Sequence, residues 1–184
     1  YSARVSSQAI TEIDKLDSTG SLRLVSCLSA RAKLAHCLVE NLDKFVVLSN
    51  QNSPVVHLAL LPIYRQKLQL PSFYGNTVTL DTGKQARFLN SFNELYNLEL
   101  FLLQKIVDGV LQHSNVLITR LQIILEQENL PVSAPQLQIM VGASLSELEI
   151  ETAVASLKTV AARILGEVKN LNDLERLHNE LILY

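Results

Sequence analysis

The sequence has no tryptophan, only five phenylalanines and five tyrosines, and just six glycines and five prolines in 184 residues. So few turn-formers argue against collagen and against a β-sandwich punctuated by Gly and Pro. So few aromatics argue against a platform that stacks nucleic-acid bases. No two Lys or Arg residues are adjacent, and 16 basic residues stand against 18 acidic ones for a formal net charge of −2. No basic stripe offers itself to a phosphate backbone, so no nucleic-acid partner is expected.

Cysteine is scarce too. Cys27 and Cys37 fall in one expected helix, about 15 Å apart along its axis, beyond the ~7 Å that a disulfide permits between Cα atoms. They read as two small buried hydrophobes and assign no redox compartment. No apolar run approaches the ~20 residues of a membrane span. The longest, Val55 to Tyr64, is interrupted by His57 and Pro62. The chain opens on Tyr1 without an initiator Met; a fragment or processed product is expected, so the lack of a targeting segment is uninformative.

What is present is leucine, 35 residues of it, in a chain that is 48% apolar and 18% charged. Such a chain buries enough surface to exclude disorder, and its length suits one domain, residues 1–184.

Helical periodicity dominates. Segment one runs from about Ser2 to about Ser49, its stripe including Ile13, Leu16, Leu24, Cys27, Leu34, Leu38 and Phe45. The polar stretch Ser49–Ser53 stops it, and Ser53-Pro54 restarts a short helix as N-cap and first helical residue. Pro62 kinks or ends the first half of that piece, and Pro71 closes it. Thr77–Leu80 reads as an extended connection. Segment three spans about Thr82 to about Gln127, with Phe88, Phe92, Leu95, Leu102, Ile106, Val110, Leu117 and Leu121 at helical spacing. Val132 to Gly142 reads as a hinge or short irregular piece. Segment four opens on a capping box, Ser144 with Glu147, and carries Ile150, Val154, Leu157, Ala161, Ile164 and Val168 as a coiled-coil seam. The expected fold is all-α: an elongated antiparallel helical bundle of three long helices plus one short kinked helix, four-helix-bundle-like.

Little chemistry is signalled. His36, His57, His113 and His178 are scattered without metal-ligand spacing, and His113, on the segment-three stripe, reads as a core or interface histidine. Glu147, Glu149 and Glu151 complement a helix N-terminus instead of converging on a metal. No nucleophile elbow, Walker loop or dinucleotide fingerprint occurs, so neither catalysis nor a cofactor is expected. Asp108-Gly109 sits inside a helical pattern, with Gly109 as a small residue at a packing contact. Arg23 borders the apolar stripe of segment one, and Arg31 occupies a similar edge. A guanidinium there needs an anionic or carbonyl partner from the protein, a second subunit or a ligand.

The stretch Gly20-Ser21-Leu22-Arg23 with Ser26, preceded by the Ile10–Ile13 turn, resembles the start of the extracytoplasmic helical sensor domains of bacterial receptors, the nitrate/nitrite sensor kinases in particular. The likeness covers about nine residues and lapses at Cys27 and Leu28. It implies a ligand-binding set of Arg23, Ser26 and Ser21, which Arg31 joins by its similar edge position, with a small anionic ligand and a homodimer. It further implies a membrane-anchored parent and a site on the extracytoplasmic, periplasmic face of a bacterial membrane, with a cytoplasmic location as the alternative. On this reading a non-catalytic input domain passes a small helix displacement toward the membrane. The competing reading is an interaction or assembly module of a larger complex, recruiting partner helices through its leucine seams.

Overall fold

The computed structural model describes residues 18–74, 82–121 and 133–182, with side chains described over 23–74, 94–121 and 133–179. These residues form α1 (Ser18–Val39), β1 (Phe45–Val47), β2 (Val55–Leu60), α2 (Pro62–Lys67), α3 (Thr82–Ser114), β3 (Thr119–Leu121), β4 (Gln136–Met140), α4 (Glu147–Glu167) and α5 (Leu171–Ile182). The strands build one antiparallel sheet in the order β1-β2-β4-β3. The fold is therefore mixed α and β, and the all-α bundle is corrected.

The correction has a local cause. Val55–Leu60 is a short apolar run, and such a run satisfies a helix face and a central strand equally well. Its β-branched start favours the strand. Pro54 opens the strand, not a helix, and Val141 N–H donates to its carbonyl at 2.8 Å. The polar stop at Ser49–Ser53 is the β1–β2 hairpin loop: Asn50 Oδ1 accepts from Asn52 N–H at 2.9 Å, and Asn50 O from Ser53 N–H at 2.8 Å. Asn side chains favour such turns by bonding the backbone two residues on. Segment one therefore ends at Val39, and Phe45 belongs to β1. Segment three ends at Ser114, where Asn115 takes a left-handed φ of 55°, a conformation Asn tolerates. Beyond it Leu117 is exposed and Ile118 buried, an alternation of period two that leads into β3. The supposed hinge contains β4. The Thr77–Leu80 connection lies outside the described residues.

Register sorts the sheet into two faces. Phe45 pairs with Leu60, Val47 with Leu58, Val56 with Ile139, and Leu58 with Leu137. These residues line the inner face and join one core with Leu102, Ile106 and Val110 of α3 and Leu157, Val160 and Ile164 of α4. The seam expected on α4 is buried at Ile150, Val154, Leu157, Ala161, Ile164 and Val168. Its capping box, however, is Ser146 with Glu149, two residues later than expected: Ser146 Oγ accepts from Glu149 N–H, and Glu149 Oε2 accepts from Ser146 N–H at 2.7 Å. Those bonds hold the exposed Glu149 carboxyl below its ordinary value.

At Gly109 of α3 the side chains of α4 come close. A Cβ there would stand 2.7 Å from Val160 Cγ1, a stiff branched side chain that cannot swing away within a helix. Gly109→Ala is expected to cost about 1–3 kcal/mol by overpacking, although Ala is the better helix former. Gly166→Ala, with nothing within 4 Å of its Cβ, is expected to gain up to about 1 kcal/mol. Urea titration of both variants checks the contrast.

The far end of α4 is capped from the sheet side. Lys44 Nζ donates to Leu165 O at 3.0 Å, a cation at a helix C-terminus. Tyr64 Oη lies 2.6 Å from Val168 O and 3.0 Å from Leu165 O. Burial pushes the Tyr64 phenol up from 10.0 to about 12. The folded state thus keeps a proton that the unfolded state releases, and stability falls as pH rises across that window. Tyr64→Phe is expected to cost about 1–2 kcal/mol at neutral pH through its orphaned carbonyl. Melting curves of the two proteins should converge as pH climbs from 10 toward 12.

Candidate functional site

Among the described residues, the buried polar side chains are His36, Arg65, Glu99 and Ser156. Arg65 and Glu99 meet, and the backbone explains how. α2 ends in a left-handed cap: Gln69 takes φ 55°, Gln69 N–H donates to Gln66 O at 3.0 Å, and Leu70 N–H donates to Arg65 O at 3.0 Å. This pair of bonds is a Schellman motif, with Pro71 following where the helix cannot continue. The reversal brings the carbonyls of Pro71 and Ser72 back over the side chain of Arg65. Gly in place of Gln69 would relieve the left-handed strain, so Gln69→Gly is expected to gain about 0.5–1 kcal/mol. Thermal unfolding reads this directly.

The Arg65 guanidinium is satisfied on two sides. Nη2 donates to Pro71 O at 2.7 Å and Nη1 to Ser72 O at 3.3 Å. Toward α3 it forms a fork, Nε to Glu99 Oε1 at 2.8 Å and Nη2 to Glu99 Oε2 at 3.1 Å. Tyr74 Oη donates to Glu99 Oε2 at 2.6 Å. The Tyr74 ring stacks edge-on against Tyr96 at 5.1 Å and lies under the Arg65 guanidinium at 5.6 Å. Both rings and Glu99 are buried.

The electrostatics follow from that enclosure. Burial raises the Glu99 carboxyl above its ordinary value, opposed by the Arg65 fork and by the Tyr74 hydroxyl. Burial also works against charge on Arg65, but the Glu99 carboxylate outweighs it and leaves the guanidinium more firmly protonated than usual. Tyr74 is driven upward by burial and then by the neighbouring carboxylate, so it stays a donor. The acceptors of Glu99 are taken by groups of its own chain. Chemically, the cluster ties the segment that leaves α2 to the middle of α3 and holds its charge in place.

The residues singled out from sequence lie elsewhere. Arg23 and Ser26 are exposed on α1, and Ser21 falls where side chains are not described. Arg31 donates from Nε to Leu145 O at 2.7 Å and from Nη1 to Glu147 Oε1 at 2.6 Å. A carbonyl and a carboxylate at the start of α4 thus supply the partners its position demands. Arg31 sits beside the start of α4, while Arg23–Cys27, earlier on α1, is exposed throughout. Cys27 and Cys37 are exposed free thiols, not buried hydrophobes. His113 is exposed as well, whereas His36 is buried with Nε2 3.2 Å from Ser53 O. Among the described residues no group of His, Cys, Asp or Glu could hold a metal ion, and no helix is long and apolar enough to cross a membrane.

No protein-family model matches the chain. One curated relative does. The chain is 38% identical over 118 residues to serine palmitoyltransferase 1 of Saccharomyces cerevisiae. The match takes in 61% of the chain and 20% of that protein, so the chain spans about a fifth of its relative's length. A likeness of 118 residues to a yeast protein overrides one of nine residues to bacterial sensor domains. The receptor reading, with its two-component signalling role and its periplasmic placement, is corrected accordingly, and the small anionic ligand loses its support. The chain is similar to part of an enzyme.

The Arg65–Glu99 pairing was missed from sequence. Both residues sit within apolar runs, Leu60-Leu61-Pro62-Ile63-Tyr64 before one and Leu98, Leu100-Phe101-Leu102-Leu103 around the other. Charges so placed are the signal that could have found it, since unpaired charges are almost never fully buried.

Proposed function

We propose that residues 1–184 form one domain of a serine palmitoyltransferase-type protein, serving the transfer of a palmitoyl group to serine that the relative's name describes. The 118-residue match carries this reading. The domain supports that chemistry and does not perform it. Its buried ion pair is saturated by its own chain, which suits a part that holds shape for a larger catalytic body. The exposed turns of α1 favour a domain that works against other protein.

The test is a chimera in which the matching segment of the yeast protein is replaced by this chain. Cells depending on the chimera should grow and their extracts should form the palmitoylserine-derived product. A chimera that accumulates in folded form yet supports no such activity would overturn the reading.

A further inference from the structure

The capping box of α4 uses Ser146 and Glu149, which leaves Ser144 over. Ser144 is exposed in the turn between β4 and α4, and among the described residues its Oγ has no hydrogen-bond partner. Three residues on stands Glu147, whose side chain is 70% exposed, followed by Glu149 and Glu151. No Lys or Arg occurs between Arg120 and Lys158. Ser146 also has a glutamate three places on, but its Oγ accepts from Glu149 N–H at 3.2 Å and donates to Glu149 Oε2 at 2.6 Å. The structure thus separates two serines that the sequence presents alike: one is spent on the cap and one is free. The turn's own closing bond, from Leu145 N–H to Gly142 O, is long at 3.3 Å. From α1, Arg31 reaches the same turn, donating to the carbonyl of Leu145, the residue after Ser144, and to Glu147.

We propose that Ser144 is a phosphorylation site for an acid-directed serine kinase, and that Arg31 receives the phosphate. Kinases select a hydroxyl by the charge pattern around it, and along the chain that pattern is wholly acidic here. In the step, Ser144 Oγ attacks the γ-phosphorus of ATP and the bond from that phosphorus to the ADP oxygen breaks. The hydroxyl proton passes to the kinase's catalytic carboxylate. The product carries about −1.5 to −2 charges at neutral pH. A guanidinium binds phosphate oxygens through a two-pronged fork, whereas its present pair with the exposed Glu147 is weakly held. The phosphate displaces Glu147 from Arg31 and ties the turn to α1. This site stands on the turn's geometry and does not depend on the function proposed above.

The full chain is incubated with ATP and a casein-type acid-directed kinase, and the product is mapped by tandem mass spectrometry. One phosphoryl group is expected on Ser144, and that signal disappears in Ser144→Ala. Glu147→Gln, an exposed substitution outside the capping box, should be phosphorylated at least about tenfold more slowly, because it removes the charge that the kinase reads. Transfer to Ser146 instead, no transfer to Ser144, or an undiminished rate on Glu147→Gln would overturn the site. Phosphorus NMR then reads the part of Arg31. The second ionisation of the phosphate should fall at lower pH in the phosphorylated parent than in phosphorylated Arg31→Gln, since a neighbouring guanidinium favours the dianion. Equal titrations in the two proteins would overturn the role given to Arg31.

Discussion

Glu99→Ala is expected to destabilise the protein by about 3–5 kcal/mol, because it strands the Arg65 guanidinium without a counter-charge in a buried site. That guanidinium keeps only the carbonyls of Pro71 and Ser72, and the Tyr74 hydroxyl loses its acceptor. Arg65→Met should cost a comparable amount for the converse reason. The double variant Arg65→Met/Glu99→Leu is the informative one. Two buried ions repay their desolvation only partly, so exchanging both for apolar side chains is often close to neutral. It should therefore be more stable than either single substitution, a non-additivity that chemical denaturation of the four proteins measures. Additive losses would mean that Arg65 and Glu99 act independently, contrary to their fork.

Leu58→Ala is the second large effect, expected at about 2–5 kcal/mol for a fully buried leucine that leaves a cavity. Leu58 faces inward between Val47 and Leu137, at the centre of the sheet and against the helical layer. Met140→Ala on the opposite face should stay within about 0.5 kcal/mol in the isolated chain. The contrast depends on strand parity. Calorimetric melting of both variants reads it, and comparable losses would remove the two-faced sheet.

Much of the helical layer was legible. The stripe Leu102, Ile106, Val110 and the seam Ile150, Val154, Leu157, Ala161, Ile164 are buried where periodicity put them, because long amphipathic helices repeat their signal over many turns. Gly109 was legible as a packing contact for the same reason. The strands were not. Each has three to six residues, too few for alternation to outvote a neighbouring helical pattern, and Phe45, Leu117 and Leu121 happened to continue helical spacings. The capping box slipped by two because Ser144-x-x-Glu147 and Ser146-x-x-Glu149 both satisfy the motif. Local sequence cannot choose between them. In the structure Glu149 closes the box, while Glu147 pairs with Arg31.

The candidate site was illegible for a different reason. Arg65 and Glu99 are 34 residues apart, and their meeting depends on a left-handed turn at Gln69 that no glycine announces. The nine-residue likeness around Arg23 misled because a short polar stretch on a helix recurs in unrelated proteins. Function lies in sites grafted on folds, and a match that short specifies neither.

Everything above requires that Val55–Leu60 and Gln136–Met140 lie side by side as antiparallel strands. Backbone NOEs in the isotopically labelled protein measure this most directly. Cross-strand contacts are predicted between the Val56–Ile139 and Leu58–Leu137 pairs, with sequential connectivities of extended chain along both segments. Residue-to-third-residue contacts of helical type through Val55–Leu60, with none reaching Gln136–Met140, would contradict it.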